Sequence, residues 1–229
     1  MERLSRSFIP ESELSAGDLL RLMQDLASAD ASRRDAGRPE LLGHGCVWVL
    51  IKNRLTIARW PLAGERLTLT TWPTRGRRGF YPRYFELFDA SGALLLRAES
   101  VWAVIDTESR TMVTLEGRGV GMAGVEESDF RPPARLRISE GGTARELRPR
   151  PEQIDENEHM NNAAYLDAAE ELLPPAFAGR SIKSIAVDYE HELPAGRCAR
   201  VRVVPEADAC SFEGELDGKC CFRLRIEFQ

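Results

Sequence analysis

The densest polar chemistry in this 229-residue chain lies in Asp155-Glu156-Asn157-Glu158-His159-Met160-Asn161-Asn162. Asp155, Asn157 and His159 alternate, so an extended backbone would aim all three side chains to one side. A helical pattern starts immediately afterwards. The unpaired N–H groups of a helix start carry partial positive charge and can polarise a carbonyl or hold a developing oxyanion, here near Asn161, Asn162 and Ala163. The same residues also suit a plain helix cap, since Asn and Asp accept backbone N–H groups and a lone His there often bonds the backbone. A second candidate is Asp188-Tyr189-Glu190-His191-Glu192-Leu193, ending the strand after that helix. His191 and Glu192 face opposite sides of an extended strand, and a Glu192 aimed at the helix start could activate water as a general base. Solvated charges on an edge strand are the alternative. Arg75, Arg77, Arg78 and Arg83 cluster in TRGRRGFYPR with no acidic residue among them, a basic patch or simply a solvated hairpin.

Other chemistries find little material. The five cysteines are odd in number, two are adjacent and none forms a C-x-x-C pair, so neither a disulfide framework nor a zinc cage is expected. With three histidines, one of them (His44) between glycines in an expected turn, we expect no metal and no cofactor. The formal charge of -5, without interleaved aromatics, argues against nucleic-acid binding. No apolar run approaches the ~20 residues of a membrane span. The first residues, MERLSRSFIPESELSAG, contain acidic groups and no continuous apolar h-region, which reads as a cytoplasmic start. Hydrophobic residues at 43% and charged residues at 29% describe an ordinary globular protein.

The elements that must position these groups repeat. Leu19, Leu22, Met23, Leu26 and Ala29 recur at helical spacing over Asp18 to Ala36, with Ser15 or Asp18 as cap and Gly37 as stop. Strand patterns follow at 46–57, 65–73, 81–89 and 93–106, with a hairpin at Ser91-Gly92 and a turn at Glu108-Ser109-Arg110. Residues 117–143 are rich in Gly, Pro and charge and read as a linker. The order then recurs: a short strand at 145–150, a helix from Asn162 to Leu173 stopped by Pro174-Pro175, and strands with a tight hairpin at Asp217-Gly218. The expectation is an α+β chain of two modules, 1–116 and 144–229, pairing sheet to sheet with helices outside.

Asn157 to Leu166, N-E-H-M-N-N-A-A-Y-L, resembles the N-x-H-x-N-N-x-x-Y segment of fatty acyl-ACP thioesterases. Trp48-Val49, Thr71-Trp72-Pro73 with the Arg-rich stretch after it, and the run from Arg83 through Phe85, Leu87 and Asp89 to Ser100, Trp102 and Arg110 are similar to that family in the same order. The resemblance implies a tandem (double) hotdog fold, with two antiparallel sheets each carrying a long central helix. It implies hydrolysis of the thioester between a fatty acid and acyl carrier protein, as in fatty acid biosynthesis. An acyl-CoA thioesterase and a non-catalytic acyl-binding hotdog protein are the alternatives. By position, Asp155, Asn157, His159 and Glu192 match the family's site. Where plant members commonly have Cys after that Glu this chain has Leu193, so the carboxylate takes the role of base or, less readily, nucleophile. One site per chain is expected, with the first module supplying the acyl pocket. Arg75, Arg77, Arg78 and Arg83 become candidates for docking the acidic carrier. Two modules in one chain leave both a monomer and a homodimer open.

Overall fold

A computed structural model describes residues 3–122 and 129–229. The first half contains β1 (Leu4–Phe8), α1 (Ala16–Ser32), α2 (Arg38–Gly43), β2 (Cys46–Ile57), β3 (Leu67–Pro73), β4 (Phe80–Asp89), β5 (Leu94–Asp106) and β6 (Met112–Val113). The second contains β7 (Thr143–Leu147), α3 (Ala164–Leu172), β8 (Ile182–Tyr189), β9 (Ala199–Pro205), β10 (Ala209–Leu216) and β11 (Lys219–Phe228). Among the described residues these strands form one antiparallel sheet in the order β1-β3-β4-β5-β2-β8-β11-β10-β9-β7, with β6 on β5. Read inward from either edge, each half runs through its first, third, fourth, fifth and second strands. The repeated plan expected from the sequence is present.

Its assembly differs from expectation. The two sheets are not separate layers: β2 pairs antiparallel with β8, from Lys52 opposite Asp188 to Thr56 opposite Ser184. Each half would otherwise leave the N–H and C=O groups of its second strand unpaired at an edge, and joining the edges satisfies both. Nor do the helices lie outside. Leu55 stands opposite both Ala98 and Ile185, Ala98 opposite Phe85, and Leu224 opposite both Val187 and Phe212. Directly opposed residues share a face. All of these form a single buried cluster with Leu19, Met23 and Leu26 of α1 and Tyr165 and Leu166 of α3. The sheet therefore packs one face against both helices in a core shared by the two halves, and a second, smaller cluster gathers Leu41, Cys46, Tyr81, Val104 and Leu115 in the first half.

The helices also touch each other. Ser15 Oγ donates to Asp167 Oδ1 at 3.2 Å, and the Ala16 amide donates to Glu170 Oε1 at 3.0 Å. A Cβ on Gly17 would stand 1.9 Å from Asp167 Oδ1, so only glycine allows this approach. α1 has 17 residues, capped by Ser15 and Asp18 in a reciprocal capping box. It ends at Ser32, short of Ala36, and Gly37 opens the unanticipated α2 instead of closing α1. α3 has nine residues, about half the length of α1. Beyond residues 123–128, which lie outside the described residues, the expected linker crosses the sheet's far side. The Leu136 amide donates to Asp188 Oδ2 at 2.7 Å, and Arg202 Nη1 donates to the Gly141 carbonyl at 3.1 Å.

Candidate active site

The segment before α3 is not extended. The Asp155 amide bonds the His159 carbonyl at 2.9 Å, the Glu158 amide bonds the Asp155 carbonyl at 3.1 Å, and Ile154 bridges Met160. Residues 155–159 are thus a closed loop, with Glu158 in the left-handed region at φ 63°. Closure, not strand alternation, brings the side chains together. Asp155 Oδ2 lies 3.5 Å from His159 Nδ1, while its Oδ1 accepts from the Asn157 amide at 2.8 Å.

Glu192 also departs from its expected place. β8 stops at Tyr189, where the amides of Glu190 and His191 both donate to the Cys221 carbonyl and end the regular ladder. The following loop folds against the first one: Met160 N–H meets the Leu193 carbonyl at 2.8 Å, Ala195 N–H meets that of Glu158 at 2.9 Å, and His159 bridges Pro194. Leu193 is fully buried, an anchor for the loop. This zipper puts Glu192 Oε1 3.8 Å from His159 Nε2. The imidazole thus stands between two carboxylates, Asp155 near Nδ1 and Glu192 near Nε2, while the hydrogen bond at Nδ1 is with the Met160 carbonyl at 3.4 Å.

The helix start is less available than anticipated. The Asn161 amide is taken by the Gln153 carbonyl at 2.8 Å, and the Ala163 amide by Asn161 Oδ1 at 2.9 Å. Asn161 folds its own side chain into a turn, which delays α3 to Ala164. Among the described residues no hydrogen bond takes the Asn162 N–H. Asn162 lines the adjoining cavity, and its carbonyl accepts from Tyr189 Oη at 2.9 Å.

That cavity measures about 670 Å³ and is lined by Asp155, Asn157, His159 and Glu192 together. Exposed Arg38 and Arg110 of the first half also line it, together with buried Ala27, Ala31, Leu50 and Tyr81. Tyr165 and Tyr189 form part of the wall, and burial pushes both phenols well above the usual tyrosine range, so they remain neutral donors. No cysteine is among its lining residues, and burial raises the thiols of Cys46, Cys210, Cys220 and Cys221. Among the described residues no group of His, Cys, Asp and Glu is arranged to hold a metal.

The basic cluster divides. Arg75, Arg77 and Arg78 are exposed, in or beside the turn before β4. Arg83 is not a surface residue: it is buried, with Nη1 2.8 Å from Asp30 Oδ2 and 3.2 Å from Thr71 Oγ1. Its place on the inward face beside Tyr81, Phe85 and Leu87 could have been read from the period-two pattern. Arg110 was not expected in the site. It reaches Glu192 from the turn after β5, and nothing local in the sequence signals a contact across 82 positions.

The class of protein that this sheet and its helices define is a hotdog-type fold, with the loop-borne His–carboxylate cluster beside a cavity. The family model described as the acyl-ACP thioesterase N-terminal domain matches residues 11–117, and that of the C-terminal domain matches residues 137–227. The chain belongs to the acyl-ACP thioesterase family. It is 27% identical over 205 residues to the chloroplastic acyl-[acyl-carrier-protein] hydrolase FATB2 of Cuphea viscosissima, covering 84% of this chain and 48% of that protein. It is 26% identical over 187 residues to the chloroplastic palmitoyl-acyl carrier protein thioesterase of Cuphea hookeriana, covering 77% and 44%. The chain thus spans about half the length of the curated relatives it matches. Among solved structures, an acyl-ACP thioesterase from Bacteroides thetaiotaomicron superposes with a TM-score of 0.87 at 22% identity, over 99% of this chain and 98% of that one. The 12:0-ACP thioesterase from Umbellularia californica gives 0.82 at 21%, over 99% and 97%. At those identities the likeness is one of fold.

Proposed function

We propose that this protein hydrolyses the thioester of fatty acyl-[acyl-carrier-protein] and releases the free fatty acid. The observation that carries the reading is the meeting of His159 and Glu192, 3.8 Å apart, at a cavity whose lining also includes apolar residues of the first half such as Ala27, Ala31 and Leu50. A thioester carbonyl is electrophilic and its thiolate leaves readily, so modest activation of water suffices. Glu192 takes the proton as general base, His159 orients water and carbonyl, and Asp155 fixes the imidazole through Nδ1. Asn157 borders the same space. The Asn162 amide is the donor available for the oxyanion, an interaction worth about 3 kcal/mol where such donors have been removed.

In this reading the chain is a tandem hotdog joined edge to edge. Residues 1–116 form most of the acyl chamber, 117–143 cross between the halves, and 144–229 carry the catalytic groups. Pairing through β2 and β8 occurs within one chain, which fits a monomer, and size-exclusion chromatography distinguishes that from a homodimer. No described helix is long and apolar enough to cross a membrane. Five free cysteines suit a reducing compartment, which we take to be the cytoplasm.

The test is a panel of acyl thioesters of several lengths on acyl carrier protein and on coenzyme A, with released thiol as readout. Turnover with a higher kcat/KM on the carrier protein supports the assignment. Preference for coenzyme A makes it an acyl-CoA thioesterase, and binding without thiol release makes it an acyl-binding protein.

A further inference from the structure

Glu192 is an unpromising base as its own loop leaves it. It stands beyond the end of β8 with its side chain 48% exposed, and His159 at 3.8 Å is outside hydrogen-bond range. Among the described residues, the one hydrogen bond to its carboxylate comes from the other half of the chain: Arg110 Nη2 donates to Oε1 at 2.5 Å. The contact of Glu192 with His159 uses the same oxygen, which leaves Oε2 to accept a proton.

Arg110 is itself held in a braced turn. Asp106 Oδ1 accepts from the Ser109 amide at 2.7 Å, from Ser109 Oγ at 2.9 Å and from the Glu108 amide at 3.1 Å. The other oxygen of Asp106 pairs with Arg118, and the Arg110 amide donates to the Asp106 carbonyl at 3.1 Å. Within this turn Arg110 adopts φ 57°, a left-handed conformation that glycine takes without strain and arginine does not. A long cationic side chain held in a backbone state that favours glycine, and aimed at a cavity-lining carboxylate, points to a function for the side chain itself.

We propose that Arg110 is a positioning residue for the reaction: it fixes the Glu192 carboxylate beside His159, so the site is complete only when both halves of the chain contribute. The proposal rests on Glu192 being the base. It assigns Arg110 no contact with the acyl group and no part in carrier docking.

The experiment compares Arg110→Gly, Arg110→Lys and Glu192→Gln as full-length chains, with kcat and KM on an acyl-carrier substrate and thermal unfolding of each. Arg110→Gly suits the left-handed backbone, so its unfolding midpoint should match the parent or exceed it. Its kcat should nevertheless fall about 100-fold, the order expected when a catalytic group is displaced by about 1 Å. KM should change little, and Arg110→Lys should recover part of the loss because it restores a cation near Oε1. Wild-type kcat in Arg110→Gly, a change confined to KM, or a loss that tracks unfolding would each overturn the proposal. Glu192→Gln separates the two readings. If it is inactive while Arg110→Gly is normal, only the role of Arg110 fails; if it is fully active, the base and its positioning residue fail together.

Discussion

Asp30 of α1 and Arg83 of β4 meet at 2.8 Å in a site where their side chains are 0% and 6% exposed. Arg34 Nε, also 2.9 Å from Oδ2, and Arg33 Nη2, 2.9 Å from Oδ1, complete the shell around the carboxylate. The pair clamps the long helix to the inner face of the sheet, and Arg83 is itself one of the residues lining the cavity. Arg83→Met removes the tie between helix and sheet but leaves Arg33 and Arg34 on the carboxylate, so it should destabilise the protein by about 1.5–3 kcal/mol, the worth of a hydrogen bond to a charged group. Urea unfolding followed by circular dichroism checks this. A shift within about 0.5 kcal/mol, the size typical of surface substitutions, would return Arg83 to the surface patch.

A second buried carboxylate lies on the seam between the halves. Asp188 of β8 meets Lys52 Nζ at 2.9 Å and Arg54 Nη2 at 2.5 Å, both on β2, and accepts the Leu136 amide at 2.7 Å. Burial pushes its pKa up, but the amide and the two cations outweigh burial and hold it below the usual carboxylate range. Asp30 is lowered in the same way by its arginines, again against burial. A carboxylate depressed in the folded state contributes stability that is present above its unfolded value, about 4, and lost as pH falls through the folded value. Stability should therefore decline below about pH 4. Asp188→Asn should be less stable at neutral pH and show a shallower acid decline. Parallel curves for parent and variant would show that the seam pair does not titrate with folding.

Much of this architecture was legible from local pattern. The capping pair Ser15 and Asp18, the stop at Pro174 and the Asp217-Gly218 turn, with φ values of 51° and 77°, are local chemistry and stand where their residue types put them. The joining of β2 to β8 was not legible, because edge pairing between distant strands leaves no mark on either segment. β1 escaped notice for a different reason. LSRSF lacks apolar alternation, and it is held by its ladder to β3 and by hydroxyl pairs Ser5–Thr70 and Ser7–Thr68, each 2.9 Å. Residue types before α3 drew attention to the segment that borders the cavity, whereas its shape and the partner of Glu192 depended on contacts across the fold.

The roles of His159 and Glu192 separate kinetically. Glu192→Gln keeps shape and hydrogen-bonding capacity but cannot accept the proton, so turnover should fall about 10²- to 10⁴-fold, the usual worth of a positioned general base. His159→Ala should reduce kcat with a smaller change in KM, because the imidazole orients water and carbonyl rather than holding the acyl chain. Steady-state kinetics on one acyl-carrier substrate measures both. A rise in KM alone for His159→Ala would make it a binding residue.

Carrier recognition should reside in the exposed arginines only. Arg77→Glu with Arg78→Glu reverses charge in the turn before β4 without touching the Asp30 shell. The double variant should lose about 10-fold in kcat/KM on acyl carrier protein, most clearly at low salt, through weaker steering of an acidic partner. Hydrolysis of a small uncharged thioester should be unchanged. Equal rates on the carrier substrate at low and high salt, for parent and variant alike, would dismiss the patch.

Chain-length preference should answer to α1, because Ala27 and Ala31, one turn apart and both buried, line the cavity with small side chains. Ala27→Leu projects additional methyl groups into that space from a helix anchored at Asp30 and Ser15, so the added volume cannot be absorbed by moving the helix away. Each methylene of substrate that loses its seat forfeits about 0.8 kcal/mol of burial, roughly fourfold in kcat/KM. The longest accepted acyl chain should therefore lose most, and the shortest should be nearly unaffected. Overpacking will cost about 1–3 kcal/mol of stability, so the profile must be read as a ratio between chain lengths on one preparation. A uniform loss across the panel would mean that the acyl group never reaches α1, and the first half would then serve the site through Arg110 and the seam alone.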